Sequence, residues 1–308
     1  MRTEVIYESG SLYREKFRIQ GYFFGTGKKS VCVIGNMRGN EYQQMYVCSR
    51  LIEALKKAEQ ADLLLLDHQI LVIPTANPYS INIQKRFWPI DNTDINRMFP
   101  GYLEGETTQR IAGGIFEEIK DYEYGIQLAS YYMPGEFMPH IKIMKTNADY
   151  AAEAEKFGMP YIVLRDPRPY DTTTLNYNWQ IWEAKAFSLY TTVTAQIDRK
   201  SADRGVRCIM NFLAGEGIIS YHRHEGYRSQ IIDDDSLILL RAPRAGLFET
   251  FVSVEQEVAK GALLARILNP VDGEELARIY APEDGIVFFL HNEPLTYEHT
   301  AVIKLIPL

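Results

Sequence analysis

The chain predicts an α/β protein: a mixed sheet flanked by helices over residues 1–230, followed by a small all-β domain over 237–308. Three observations carry this. Short β-rich runs alternate with apolar stripes at i, i+3/i+4 spacing through most of the chain, the pattern of a layered fold with a largely parallel sheet. A segment from Thr75 to Gly105, rich in Asn, Asp, Pro and aromatics, interrupts that alternation and is read as a functional loop. After Asp233-Asp234-Asp235, read as a solvated linker, the helical stripes stop and short apolar runs between Gly and Pro turns take over.

Residues 3–24 read as strands broken at Ser9-Gly10-Ser11, and Gly25 to Ser30 as a turn before the apolar run Val31 to Gly35. From Glu41, the residues Met45, Cys48, Ile52 and Leu55 with Val47, Leu51, Ala54 and Ala58 mark a helix. Gln69 to Ile73 is the next strand, closed by Pro74. Beyond the long loop come a helix over 106–120, a strand from Tyr124 to Leu128, a helix over 147–157 and a strand from Pro160 to Leu164. A helix near 176–186, a strand over 187–195 and a helix carrying Val206, Ile209, Met210 and Leu213 complete the first domain. In the tail, Ala242-Pro-Arg-Ala-Gly-Leu-Phe and Ala281-Pro-Glu-Asp-Gly-Ile-Val echo one another, which suggests two related hairpins packed as a sandwich.

Composition narrows the function classes. With 308 residues and 46% hydrophobic content the chain can bury a real core, and its net charge of −7 offers no basic footprint to nucleic acid or to an anionic membrane. Three cysteines, odd in number and without a CxxC, argue against a disulfide framework or a cysteine zinc site. The N-terminus alternates apolar with polar residues, unlike a signal peptide, and the most apolar stretch, Leu63 to Leu66, is too short to cross a bilayer. A soluble, cytoplasmic protein is expected.

Three patterns belong together. Gly35-Asn36-Met37-Arg38-Gly39-Asn40-Glu41 follows a predicted strand, where open α/β sheets place their sites. Asn77-Pro78, Arg86 and Asp94-Ile-Asn-Arg-Met-Phe-Pro-Gly101 lie in the long loop, and Gln127-Leu-Ala-Ser130 ends the next strand. On these residues the chain resembles the succinylglutamate desuccinylase/aspartoacylase family, amidohydrolases with a zinc-carboxypeptidase-like (phosphorylase/hydrolase-like) fold. The resemblance implies G-x-H-G-N-E at the first strand end, N-P-x-G, R and D-L-N-R-x-F-P-G in the loop, and D-L-H-T at the later strand. It extends to the tail, and the segment from Asp94 to Gly101 is its most specific part.

The departures fall on the chemistry. The family pattern implies zinc held by His, Glu and His with an open position for water. Those positions here are Arg38, Glu41 and Ala129. The implied general base, a Glu in a late T-x-E strand, falls on Tyr190, and the Asp of D-L-H-T on Gln127. No zinc is therefore expected, unless the family activity is retained. Arg38 is expected to pair with Glu41 in the vacated space, since a guanidinium cannot ligate a metal and a buried unpaired Glu41 would be costly.

The residues that the resemblance assigns to the substrate carboxylate and carbonyl, Arg86, Asn96 and Arg97, are present and form a fork suited to a carboxylate. The competing reading is that Asn96 and Arg97 only tie the loop to nearby backbone. His222 and His224 have a ligand-like i, i+2 spacing without an evident third ligand. His68 and His140 read as surface or satisfied loop histidines, and the tyrosine clusters as packing or pocket lining. Three functions stay open: a metal-free relative binding a small carboxylate, an acyl-amino-acid-like molecule or a peptide end; an active metal-dependent deacylase; and a scaffold acting through the β domain.

Overall fold

The computed structural model describes residues 1–10, 15–65, 67–146, 150–222 and 226–308. Strands β1 (Arg2–Ser9), β2 (Phe17–Phe24) and β3 (Lys28–Asn36) lead into helix α1 (Tyr42–Gln60) and strand β4 (His68–Thr75). Next come α2 (Pro78–Asn82), a 3-10 turn at Ile95–Arg97, α3 (Thr107–Ile119) and β5 (Tyr124–Ala129). Then follow β6 (Glu136–Phe137), β7 (His140–Met144), α4 (Ala151–Glu155), β8 (Tyr161–Arg165), α5 (Leu175–Ile181), β9 (Lys185–Tyr190), α6 (Arg199–Gly215) and β10 (Gln230–Asp233).

Nine of these strands form one mixed sheet in the order β1-β2-β4-β3-β5-β9-β7-β8-β10. The central four, β4-β3-β5-β9, are parallel, while β2 joins β4 and β7 joins β9 antiparallel. Strand alternation then divides the core into two layers. Val31, Val33, Ile126, Leu128, Phe187 and Leu189 face one cluster with the apolar stripes of α1 and α6. Cys32, Ile34, Leu71 and Ile73 face another, built from α3, the long loop and Trp179 of α5.

Several expectations change. The strand read over 187–195 begins at Lys185 and ends at Tyr190, and the helix before it stops at Ile181 because Glu183 turns the chain with a left-handed φ of 67°. Strands β6 and β7 were not expected. The helix read over 147–157 is α4 alone, and 147–149 lie outside the described residues. The Asp233–Asp235 run is no open linker: Asp233 accepts the Asp235 N–H at 3.4 Å to start a 3-10 turn, and Asp234 lies 3.8 Å from Lys304.

The chain divides into two compact units, one of Met1–Ser130 with Pro139–Ile231, the other of Tyr131–Met138 with Ile232–Leu308. The second unit is all-β, continuing through β11 (Ile238–Arg241), β12 (Gly246–Thr250), β13 (Glu257–Val258), β14 (Leu263–Leu268), β15 (Glu275–Tyr280), β16 (Gly285–Leu290), β17 (Leu295–Thr296) and β18 (Ala301–Pro307). Its sheets run β11-β18-β16-β13, with β6 added on β16, and β15-β14-β12-β17. Leu264, Ile267, Val287, Val302 and Leu305 from both sheets fill its core.

Candidate functional site at the strand ends

The loop after β3 is built on backbone bonds. Asn36 donates from Nδ2 to the carbonyls of Arg38 (2.8 Å) and Glu41 (3.2 Å), while its Oδ1 accepts from Thr75 Oγ1 at 2.7 Å. The long loop is docked beneath it: the Gly39 N–H donates to the Arg86 carbonyl at 3.1 Å. A Cβ on Gly39 would stand 2.3 Å from the Lys85 carbonyl oxygen, so only glycine allows this approach.

Inside this frame lies a buried ion cluster. Arg38 Nη1 donates to Glu41 Oε1 at 2.9 Å, and its Nε and Nη2 both reach Asp94 Oδ2, at 3.1 and 2.9 Å. Glu41 Oε2 accepts the backbone N–H groups of Met37 (2.8 Å) and Arg38 (3.1 Å), and Ser130 Oγ donates to Oε1. Four donors thus fill the Glu41 carboxylate, whose side chain is 1% exposed. Burial alone would lower the Arg38 pKa; the Glu41 and Asp94 charges more than offset this and raise it above its ordinary value. The guanidinium is permanently charged.

The substrate-type residues do not behave alike. Asn96 Oδ1 accepts the Leu175 N–H at 3.2 Å, and Arg97 Nη1 donates to the Tyr170 carbonyl at 2.6 Å, with Asp171 3.9 Å away. Asn96 therefore ties the long loop to the first residue of α5, and Arg97 ties it to the segment before that helix. The guanidinium of Arg86 makes no hydrogen bond or ion pair among the described residues. Burial, and then the charge of Arg38, lower its pKa, while Glu41 and Asp94 act in the opposite sense.

Strand register aligns the remaining positions. Gln127 on β5 faces Ser188 on β9, which faces Lys142 on β7; one row on, Ala129 faces Tyr190, which faces His140. Because Ile141 and Ile143 belong to the α1/α6 layer, His140 and Lys142 project to the other face. His140 is a fully buried strand residue, stacked on Tyr190 with ring centroids 4.6 Å apart, and not a surface or loop histidine. Lys142 Nζ lies 4.7 Å from the centre of the Tyr190 ring, and Asn176 Nδ2 donates to Ser188 Oγ.

Ser130 stood in the third pattern without a role of its own, and Lys142, Asn176 and Ser188 were not singled out by sequence reasoning. For Lys142 a signal existed, because His140-Ile-Lys-Ile-Met alternates with the period of a strand that has one polar face. Of the other histidines, His68 is satisfied by Ser30 Oγ at 2.7 Å, His222 is exposed, and His224 lies outside the described residues.

The zinc implied by the resemblance does not fit these residues. Arg38 offers donors only, Ala129 has no ligating atom, and Glu41 has no oxygen left unengaged. Among the described residues, no group of three or more His, Cys, Asp or Glu gathers to hold a metal ion. The cluster itself sets one cation against two carboxylates, and Arg86, whose charge is felt by all three, is a cation that makes no such pair among the described residues.

The fold is the mixed α/β fold of succinylglutamate desuccinylase/aspartoacylase structures. Residues 27–215, more than half of the chain, match the succinylglutamate desuccinylase/aspartoacylase catalytic domain, and the chain belongs to that family. It is 22% identical over 275 residues to the N-alpha-acetyl-L-2,4-diaminobutyric acid deacetylase of Halomonas elongata, covering 85% of this chain and 77% of the relative. Among solved structures, a succinylglutamate desuccinylase/aspartoacylase from Rhodobacter sphaeroides has a TM-score of 0.80 at 21% identity, over 98% of this chain and 95% of that one. The product-bound ectoine utilization protein EutE from Ruegeria pomeroyi has a TM-score of 0.78 at 19% identity, over 94% and 89%.

Proposed function

We propose that this chain is a metal-free member of its family that binds a small carboxylate, an acyl-amino-acid-like molecule or a peptide end, and is catalytically degenerate. The observation that carries the reading is the Arg38–Glu41–Asp94 cluster: a fixed guanidinium stands at a position where the family pattern has a zinc ligand, and the carboxylate beside it is fully engaged. With Tyr190 at the base position, Glu41 also lacks a free lone pair with which to accept a proton from water. Arg86 is the group that meets the ligand carboxylate, through a charge-assisted fork; Asn96 and Arg97 hold the loop that carries it. Three buried free cysteines fit a reducing, cytoplasmic setting.

Two measurements test this. Elemental analysis of protein purified without chelator should find no stoichiometric zinc; one tightly bound zinc per chain overturns the reading. Calorimetric titration with N-acetyl amino acids should show binding that Arg86→Gln weakens about tenfold, the loss of one charge-assisted hydrogen bond. The similarity to a deacetylase favours a second reading, an active deacylase. Turnover of an N-acetyl amino acid that disappears in Glu41→Ala would establish it.

A further inference from the structure

A second cationic region lies on the outer side of α6, on residues that take no part in the strand-end cluster. Lys200, Arg204, Arg207 and Asn211 follow one another at i, i+4, i+7 and i+11, so that they form one stripe along the helix. The stripe lines an open cavity of about 480 Å³, whose opposite wall is formed by Gly158, Gly226 and the exposed ring of Tyr227. That wall is fixed by the Tyr227 N–H, which donates to the Gly158 carbonyl at 3.2 Å. Among the described residues no acid lines this cavity, and neither Lys200 nor Arg207 has an ion-pair partner.

Arg207 also borders a neighbouring cavity of about 430 Å³ between α1 and α6. There the floor is apolar: Ala54, Leu63, Val206, Met210 and Tyr221. The acids on its rim are already engaged. Glu53 pairs with Arg50 and with Lys57 (2.7 Å), and Asp203 lies 3.7 Å from Arg199 and 3.8 Å from Arg50. Two adjacent cavities, one cationic and one with an apolar floor, thus share Arg207, on a chain whose overall charge is −7.

We propose that the two cavities that meet at Arg207 together bind an organic phosphate. Its phosphate lies among Lys200, Arg204 and Arg207, and its apolar or aromatic part lies along Val206, Met210 and Tyr221. Several cations on one stripe match a group that carries more than one negative charge, and guanidinium forks match phosphate oxygens in pairs. The apolar floor separates such a ligand from inorganic phosphate, which would leave the cavity beside Val206 and Met210 unused.

Calorimetry on the full chain tests this, with ATP and inorganic phosphate as separate probes. The expected result is saturable ATP binding, weaker binding of inorganic phosphate, and at least a tenfold loss of ATP affinity in the Lys200→Gln/Arg207→Gln double variant, roughly the loss of one charge-assisted contact. Both side chains are exposed, so folding should be unaffected. Arg86→Gln should bind ATP as the unmodified chain does, which separates this site from the strand-end site. Absence of saturable binding, equal affinity for the two probes, or an unchanged double variant would each overturn the proposal.

Discussion

At the scale of single residues, Arg38 is where this chain and its family pattern part most sharply. One guanidinium serves two carboxylates, so removing it leaves two acids with too few partners. Arg38→Met should lower stability by about 3–5 kcal/mol in urea unfolding, the range for breaking a buried ion pair from one side. Stability within about 1 kcal/mol of the unmodified chain would show that the cluster relaxes into water. Part of this was legible from the chain itself, because the i, i+3 spacing of Arg38 and Glu41 keeps the pair local. Asp94, which completes the cluster from 56 residues away, was legible only as part of the DINRMFPG motif, since tertiary packing and not spacing brings it there. The same holds for Arg97: sequence could offer a ligand role or a loop tie, and geometry supplies the tie to Tyr170.

At the scale of elements, the long loop is organised by close backbone approaches rather than by helices or strands of any length. Gly101 has φ +91°, and a Cβ there would stand 2.0 Å from the Gly113 nitrogen on α3. Gly101→Ala should therefore combine backbone strain with a clash and lower stability by at least about 2 kcal/mol, read from thermal unfolding. At Gly39 the same kind of change should act mainly on the site. Gly39→Ala would push the Lys85–Arg86 segment away and weaken ligand binding more than it lowers the melting temperature. Periodicity identified α1, α6 and the central strands because their apolar stripes are long. It missed β7, a strand of only five residues, over which the alternation of His and Lys with Ile is too short to stand out. It also misplaced the start of β9, because Trp182-Glu183-Ala184 continues an apolar and polar rhythm through a turn that only the left-handed Glu183 reveals.

At the scale of the whole molecule, the reading of the cysteines leads to a direct test. Cys32, Cys48 and Cys208 are all buried and free. Burial pushes the Cys208 thiol up to about 12, and moves the other two the same way. A raised pKa keeps each thiol protonated at neutral and mildly alkaline pH, and the thiolate is the reactive form. Ellman's reagent at pH 8 should therefore find no reactive thiol in the folded chain and three once it is denatured. No helix among the described residues is long and apolar enough to cross a membrane. The family and the mixed α/β fold were legible because motif residues sit at strand ends, where a parallel sheet gathers them. Net charge was less informative, since an overall −7 conceals a local cationic stripe along α6.

The filled carboxylate of Glu41 also bears on which sequences are reachable from this one. Arg38→His alone would set one ring beside Glu41 and Asp94 without providing the second histidine, and Ala129→His alone would leave the Glu41 carboxylate engaged by Arg38. A three-ligand metal centre here would therefore need both positions changed and Glu41 released from its present donors.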